Sequence, residues 1–287
     1  MDLANFLIQL LNSVQYGLLL FLLAAGLTLI FGIMGVVNLA HGSFYMLGAY
    51  LAYALTGAWG NLFLAVIAGA VLSLLLGWLL EKILFKHFYH RDHLDQVLLT
   101  FGLIYIFEEL RSMLWGDDVH NVAVPESLNW SITLTDTLSY PAYRLFMLGI
   151  CLLLALGLWV LISRTKIGMK IRAGAFNSDM AQALGVNIVR LHALVFALGV
   201  ALASLAGMLT APLSSVYPYM GSQVLIMCFV VVVIGGIGSV RGALTAALLV
   251  GLVDTFGKVL LPQFASMLVY VLMALVLLYK PEGLFKQ

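Results

Sequence analysis

The sequence predicts an all-α integral membrane protein, a polytopic bundle of about eight or nine membrane-spanning segments with glycine-broken helices and an inverted repeat. Three observations carry this prediction. Of 287 residues, 63% are hydrophobic and only 9% are charged, and the mean hydropathy is +1.08. A soluble domain carries about 25% charged residues, because its surface must be solvated. Apolar runs of roughly 20 residues, the length that crosses a bilayer, recur along the chain. Two further apolar regions are interrupted by glycine, one in each half. No stretch is left for a soluble domain, so residues 1–287 read as one membrane domain.

Taken in order, the run over 6–31 predicts the first helix. The stretch MDLANFLIQLL lacks the basic residues and cleavage site of a secretory signal, so this helix is expected to stay in the mature protein. Residues 32–57 are apolar but interrupted by Gly32, Gly35 and Gly42, which predicts a loop and one short helix. Runs at 61–83, 96–115, 143–163 and 192–212 predict four more helices. The 116–142 loop holds prolines, β-formers and acidic residues, and reads as a short ordered external excursion. Its Asn129-Trp130-Ser131 triplet matches a glycosylation acceptor but carries no weight, because such triplets arise by chance. Residues 164–191 are too polar to span. There Asn177-Ser178-Asp179 can cap a short amphipathic helix starting near Met180, with Gly185 near its end. Region 221–257 predicts two short helices flanking Gly235-Gly236-Ile237-Gly238, with Gly242 close behind, and 263–280 predicts the last helix.

Lysine and arginine set the orientation. Lys82, Lys86, Arg91, Arg164, Lys166, Lys170, Arg172, Arg190, Arg241, Lys280 and Lys286 fall on one side of a nine-segment bundle. Arg111, Arg144 and Lys258 fall on the other, with the acidic Asp117, Asp118, Glu126 and Asp136. The prediction is a multi-pass inner-membrane protein with its N-terminus outside and its C-terminus in the cytoplasm. Counting eight segments would move the N-terminus inward.

Several function classes are excluded. A net charge of +1 argues against nucleic acid as a partner. No phosphate-binding glycine loop with a lysine occurs, no HExxH and no paired-cysteine pattern. Ser43 and His41 lack a visible acidic partner. No catalytic residue, cofactor or metal is expected. Cys151 and Cys228 sit in apolar runs and read as packing residues. His87, His90 and His93 lie beside Lys86 and Arg91 and read as a basic, headgroup-facing helix end.

Polar groups at membrane depth are costly and mark functional candidates. Asn38-Leu39-Ala40-His41-Gly42 falls at the first break, and two readings stay open. These residues line a translocation pathway, or they satisfy the backbone freed by the break. Gly235, Gly236 and Gly238 mark the second break, where the same pathway reading stands beside close helix packing. Glu108 with Arg111, and Asp254 with Lys258, read as local ion pairs. The 164–191 segment is either a docking element for a cytoplasmic partner or a helix resting on lipid.

Three motifs in order carry a family resemblance. They are Gly35-Val36-Val37-Asn38-Leu39-Ala40-His41-Gly42, then Gly168-Met169-Lys170-Ile171-Arg172-Ala173 with Asn177, Ala181, Gly185 and Asn187, then Val233-Ile234-Gly235-Gly236-Ile237-Gly238-Ser239 before Gly242-Ala243. Arg91-Asp92-His93-Leu94-Asp95-Gln96 adds a fourth. The chain resembles, over nearly its whole length, the permease subunits of branched-chain amino acid ABC transporters, of the type of the first of two paired permeases. The resemblance implies a second homologous permease subunit, two cytoplasmic ATPase subunits, and a periplasmic or extracellular substrate-binding protein, all assembled in the lipid bilayer. It implies ATPase coupling through Gly168, Arg172, Ala173, Asn177, Ala181 and Gly185. Members of the family also carry urea, short amides or aromatic acids, so the fold does not fix the ligand. The competing classes are an ion-coupled secondary transporter and a channel. The boundary positions of Glu108, Glu109 and Asp254 count against a coupling-ion site.

Overall fold

Residues 3–89, 91–135 and 138–285 are described by a computed structural model. The first helix, α1 (Leu3–Met34), carries Asn5, Gln9, Asn12 and Gln15 in its first half; its second half is apolar on every side and buried almost completely. A helix without a polar face belongs in the core of a bundle. It ends where Gly35 takes φ +64°, a conformation that suits glycine. An irregular stretch, 35–40, then leads into α2 (His41–Trp59), which closes on Gly60 at φ +66°. Asn61 caps α3 (Leu62–Ile83), its Oδ1 accepting the Phe63 and Leu64 N–H groups at 2.9 and 3.2 Å. After α4 (His93–Trp115) the chain makes an excursion that holds a small antiparallel hairpin, β1 (Ser131–Thr135) with β2 (Leu138–Pro141).

The second half runs α5 (Ala142–Arg164), α6 (Lys166–Phe176), α7 (Ser178–Ala183), α8 (Ile188–Thr210), α9 (Met220–Gly235), α10 (Val240–Leu260) and α11 (Ala265–Tyr279). Among the described residues, six helical stretches are long and apolar enough to cross a membrane, and α9 is apolar but shorter. The helix α6 is a difference from the sequence expectation, which placed a single short helix near Met180. Its basic residues interrupt the apolar pattern that helix reading relies on. Gly32 lies inside α1, Gly42 inside α2 and Gly242 inside α10, so the breaks are narrower than the glycines suggested.

Helix α8 runs antiparallel to α3: Gly69 meets Met208, Ser73 Oγ donates to Ser204 Oγ at 2.6 Å, and Gly77 meets Ala197. In the same way α10 runs antiparallel to α1, with Gly17 against the Ala247 carbonyl and Gly251 against that of Ser13. The two central helices, α1 and α8, touch at Gly26 and Gly199, where a Cβ on Gly26 would lie 2.7 Å from the Gly199 oxygen. Small residues allow this approach of backbones. The exchange is reciprocal. The first half lends α3 to α8, and the second half lends α10 to α1. Each central helix is followed by an irregular connection, 35–40 or 211–219, that leads into a shorter helix, α2 or α9. Reciprocity of this kind is what an inverted repeat produces.

The bundle therefore has two distinct ends. One carries α6, α7, the 84–89 turn and the residues up to Phe285, whose Leu284 N–H donates to the Ile234 carbonyl at 2.8 Å. The other carries the hairpin excursion, tied to the 211–219 connection where His120 and Val216 exchange two backbone bonds of 2.8 Å.

Candidate functional site

The first break is fastened at three points. Asn38 is 0% exposed, and its Oδ1 accepts the Ala40 N–H at 3.1 Å, turning the chain into α2. His41 is also 0% exposed, and its Nε2 lies 2.9 Å from the Leu23 carbonyl oxygen of α1, so Nε2 carries the proton and donates. The imidazole fits there because Gly26 has no side chain: a Cβ would stand 3.0 Å from His41 Cε1. Gly42 rests against Gly221 at the start of α9, where a Cβ would come within 2.2 Å of the Gly221 oxygen. Asn38 Nδ2 and His41 Nδ1 are buried and have no hydrogen-bond partner among the described residues. Asn38→Leu removes the acceptor for the Ala40 N–H in a buried site, at a cost of about 1–3 kcal/mol. The variant is expected to yield less folded protein and a lower melting temperature in detergent. Normal folding with uptake abolished would instead put Asn38 on the path.

At the second break, Gly236 and Gly238 take φ +95° and +83°, and Gly235 packs against Gly242 with no room for a Cβ. Ser239 Oγ accepts the Gly242 N–H at 3.1 Å and caps α10. Gly238 lines a cavity of about 330 Å³ that also meets Thr28, Leu29, Arg172 and Arg241. The two breaks are thus built differently: the first is filled by polar side chains, the second by bare backbone.

The α6–α7 segment is rigid by construction. Thr165 Oγ1 accepts the Gly168 N–H at 3.0 Å and caps α6. Gly168 packs on the end of α5, where a Cβ would lie 2.2 Å from the carbonyl oxygens of Leu161 and Ile162. Arg172 Nη1 donates to the Ile162 carbonyl, tying α6 to α5 a second time. Asn177 Oδ1 caps α7 through the Met180 N–H at 2.9 Å, Ala181 is buried, and Gly185 turns the chain at φ +89°. Ala173 is exposed. Sequence reasoning missed three residues here. Phe176, Met180 and Leu184 are 93%, 60% and 78% exposed. Large apolar residues within the polar 164–191 stretch were the signal that could have found them.

At the opposite end, the buried Arg111 donates from Nη1 to Asp117 Oδ1 at 2.7 Å and to the Gly116 carbonyl at 2.6 Å, and its Nε lies 3.5 Å from Glu108. Its guanidinium holds the Asp117 carboxyl below the usual carboxylate range. Lys258 and Asp254 pair at 2.6 Å. His87 Nδ1 bonds the Ile83 carbonyl at 3.0 Å and His93 is exposed at the start of α4. His90, Asp136 and Lys286 lie outside the described residues. Cys151 and Cys228 are buried and unbridged.

The sequence profile of the branched-chain amino acid transport system permease component matches residues 9–277, from within α1 to the last turn of α11. The chain belongs to that family. It is 28% identical, over 97% of its length and 95% of the relative's, to the high-affinity branched-chain amino acid transport permease LivH of Salmonella typhimurium. It is 29% identical to the corresponding BraD of Pseudomonas aeruginosa, over 99% of this chain and 96% of the relative. A probable branched-chain amino acid transport permease LivH of Methanocaldococcus jannaschii is 28% identical over 85% of this chain and 78% of the relative. Among solved structures, PsaBC from Streptococcus pneumoniae in complex with Fab superposes with a TM-score of 0.51 and 14% identity, covering 93% of this chain and 89% of that one. That likeness extends to the fold alone. Every motif quoted above lies inside the span the family profile covers.

Proposed function

We propose that this family member is the membrane-spanning permease subunit of an importer for branched-chain amino acids, driven by separate ATPase subunits. The family match across almost the whole bundle carries the reading. The two unlike ends support it. Lys82, Lys86, Arg91, Arg164, Lys166, Lys170, Arg172, Arg190, Arg241 and Lys280 lie at the α6–α7 end, against Arg111, Arg144 and Lys258 at the hairpin end. An excess of cations marks the cytoplasmic side. The N-terminus then lies outside, the C-terminus lies in the cytoplasm, and nine helices cross the inner membrane.

In this arrangement α6 and α7 present a capped, rigid platform to two ATPase subunits. Gly168 and Arg172 hold the platform to α5; Ala173, Phe176, Met180 and Leu184 meet the partner. The apolar outer faces of α3, α4, α5 and α11 are left for lipid and a second homologous permease subunit. A substrate-binding protein docks on the hairpin end. Asn38, His41 and Gly42 hold the α1–α2 break to α1 and α9, and Gly235, Gly236 and Gly238 form the joint beside the cytoplasmic mouth of the path.

The chain carries no phosphate-binding loop of its own. Reconstitution in liposomes with the ATPase and the binding protein is expected to give leucine accumulation that needs ATP. The purified single chain is expected to bind no ATP at micromolar concentration. Nucleotide binding by the single chain, or uptake that is indifferent to ATP, overturns the reading.

A further inference from the structure

The hairpin end holds a cavity of about 420 Å³ between α1, α5 and α10, with Asn12, Tyr16, Arg144, Asp254 and Lys258 in its wall. Three of its features lack a structural explanation. The Asp254 side chain is only 5% exposed, yet its ion-pair partner Lys258 is 63% exposed. An exposed i,i+4 pair contributes about 0.3–0.5 kcal/mol, which does not offset the burial of a carboxylate. Arg144 is the second feature. Its Nη1 donates to the neutral Asn12 Oδ1 at 2.8 Å, and among the described residues no carboxylate pairs with it. The third is its position. Arg144 sits in the first turn of α5, which has no side-chain cap, and a helix start favours an anion rather than a cation.

A zwitterion, through its two charged groups, accounts for all three features. A carboxylate placed between Arg144 and Lys258 would neutralise the spare cation and receive the dipole of α5. An ammonium beside Asp254 would restore the balance that the carboxylate disturbs. Leu19, Leu20, Met147, Leu213 and Val224 form an apolar patch in the remaining wall, beside Gln9, Gln15, Tyr45, Thr210 and Thr255. An aliphatic side chain fits that patch, and a second charge does not.

We propose that this cavity is the entry site for a zwitterionic α-amino acid, with Arg144 and Lys258 taking the carboxylate, Asp254 the ammonium and the apolar wall the side chain. The inference rests on the import reading, which places this end outside. The same α1 lines the Gly238 cavity through Thr28 and Leu29. Between the two cavities Leu22, Leu23, Ala24 and Ala25 of α1 are 0% exposed, so α1 is packed on all sides between them.

The test uses the assembled permease–ATPase complex, with and without binding protein. Leucine binding is measured on the complex alone by saturation-transfer NMR, and uptake is measured in liposomes with binding protein present. Wild type is expected to bind leucine, and to bind leucinamide and the α-keto acid of leucine more weakly by about tenfold, the effect of losing one charged contact. Arg144→Gln is expected to lose the keto acid and most leucine uptake. Asp254→Asn is expected to lose leucine but keep the keto acid. Lys258→Gln, at an exposed position that cannot unfold the helix, repeats the carboxylate loss more mildly. Unchanged leucine binding and uptake in all three variants overturns the site. Lost binding-protein docking with leucine binding intact overturns it as well, because the charges then serve a protein surface. A wild-type complex that moves no amino acid overturns the import reading and the site with it.

Discussion

Gly42→Val is expected to abolish assembly of the permease, whereas Gly57→Ala, in the same helix, is expected to be neutral or to stabilise it. At Gly42 an added Cβ would lie 2.2 Å from the Gly221 carbonyl oxygen and 2.9 Å from the Gly221 carbonyl carbon. Both neighbours are backbone, so no rotamer change can make room. The contact joins the start of α2 to the start of α9, and Gly221 faces the same restriction, with its Cβ position 2.4 Å from the Gly42 oxygen. Relief requires that one helix move away and take its own partners along: His41 would leave Leu23, and Gly48 would leave Ser204. Overpacking of a tight core costs about 1–3 kcal/mol and sometimes more, and here it falls on the joint between the two halves. Gly57 has nothing within 4 Å of its Cβ position. Alanine there removes a flexible residue from a helix and adds about 0.5–1 kcal/mol. Thermal unfolding of the detergent-solubilised protein compares the two. Equal stability of Gly42→Val and wild type would show that the α2–α9 contact is looser than these distances require.

That contact also shows which parts of the fold were legible in the sequence. The helices of membrane-spanning length declare themselves by their apolar runs, and α3, α5, α8 and α11 fall within a few residues of their expected bounds. The breaks were legible too, because a backbone at positive φ needs glycine, as at Gly35, Gly236 and Gly238. What the residue pattern could not separate was the second use of glycine. Gly42, Gly235 and Gly242 are helical and serve contact between backbones, and a contact of that kind has no local signature. The α6 helix escaped for another reason. Lys166, Lys170 and Arg172 are at home in water, so the segment reads as a loop until Thr165 is seen capping it.

The candidate sites followed the same rule. Asn38 and His41 were found because polar side chains stand out in an apolar run. Asn38 bonds the Ala40 N–H two residues on, but the partner of His41 is the carbonyl of Leu23 in another helix, which only tertiary structure supplies. Asp254 and Lys258 were read as a local pair, and they are one. Arg144, which turns that pair into a mixed-charge cavity, belongs to a helix more than a hundred residues distant. Local charge spacing carries no information about such a meeting.

The second large effect is expected at the α6–α7 platform. Phe176→Asp with Leu184→Asp should leave a folded permease that no longer recovers its ATPase, with uptake reduced at least tenfold. Phe176, Met180 and Leu184 are exposed by 93%, 60% and 78% at the end of the bundle richest in cations. Exposed apolar residues grouped in this way mark a binding surface. They stand on a frame that does not yield: Thr165 caps α6, Asn177 caps α7, and Gly168 is locked against α5. A stiff frame is what coupling requires, since motion of an ATPase reaches the membrane only through a contact that differs between two states. Buried apolar anchors at interfaces contribute about 2–4 kcal/mol each, and charge on two of them exceeds what the remaining contacts hold. The aspartates touch little of their own chain, so the fold should survive. Gly185→Trp is a less clear probe, because φ +89° strains any side chain there before a partner is met. Arg172→Glu reads the other link, since it cuts the bond to Ile162 and frees α6 from α5. Co-purification of the ATPase with each variant, beside binding-protein recovery and uptake, separates the possibilities. Binding-protein recovery should be unchanged throughout, because that contact lies at the hairpin end. If the platform instead rests on lipid, the double aspartate will weaken its hold on the membrane and leave ATPase recovery at the wild-type level, and the coupling contact must then be sought in the turn that holds Arg91.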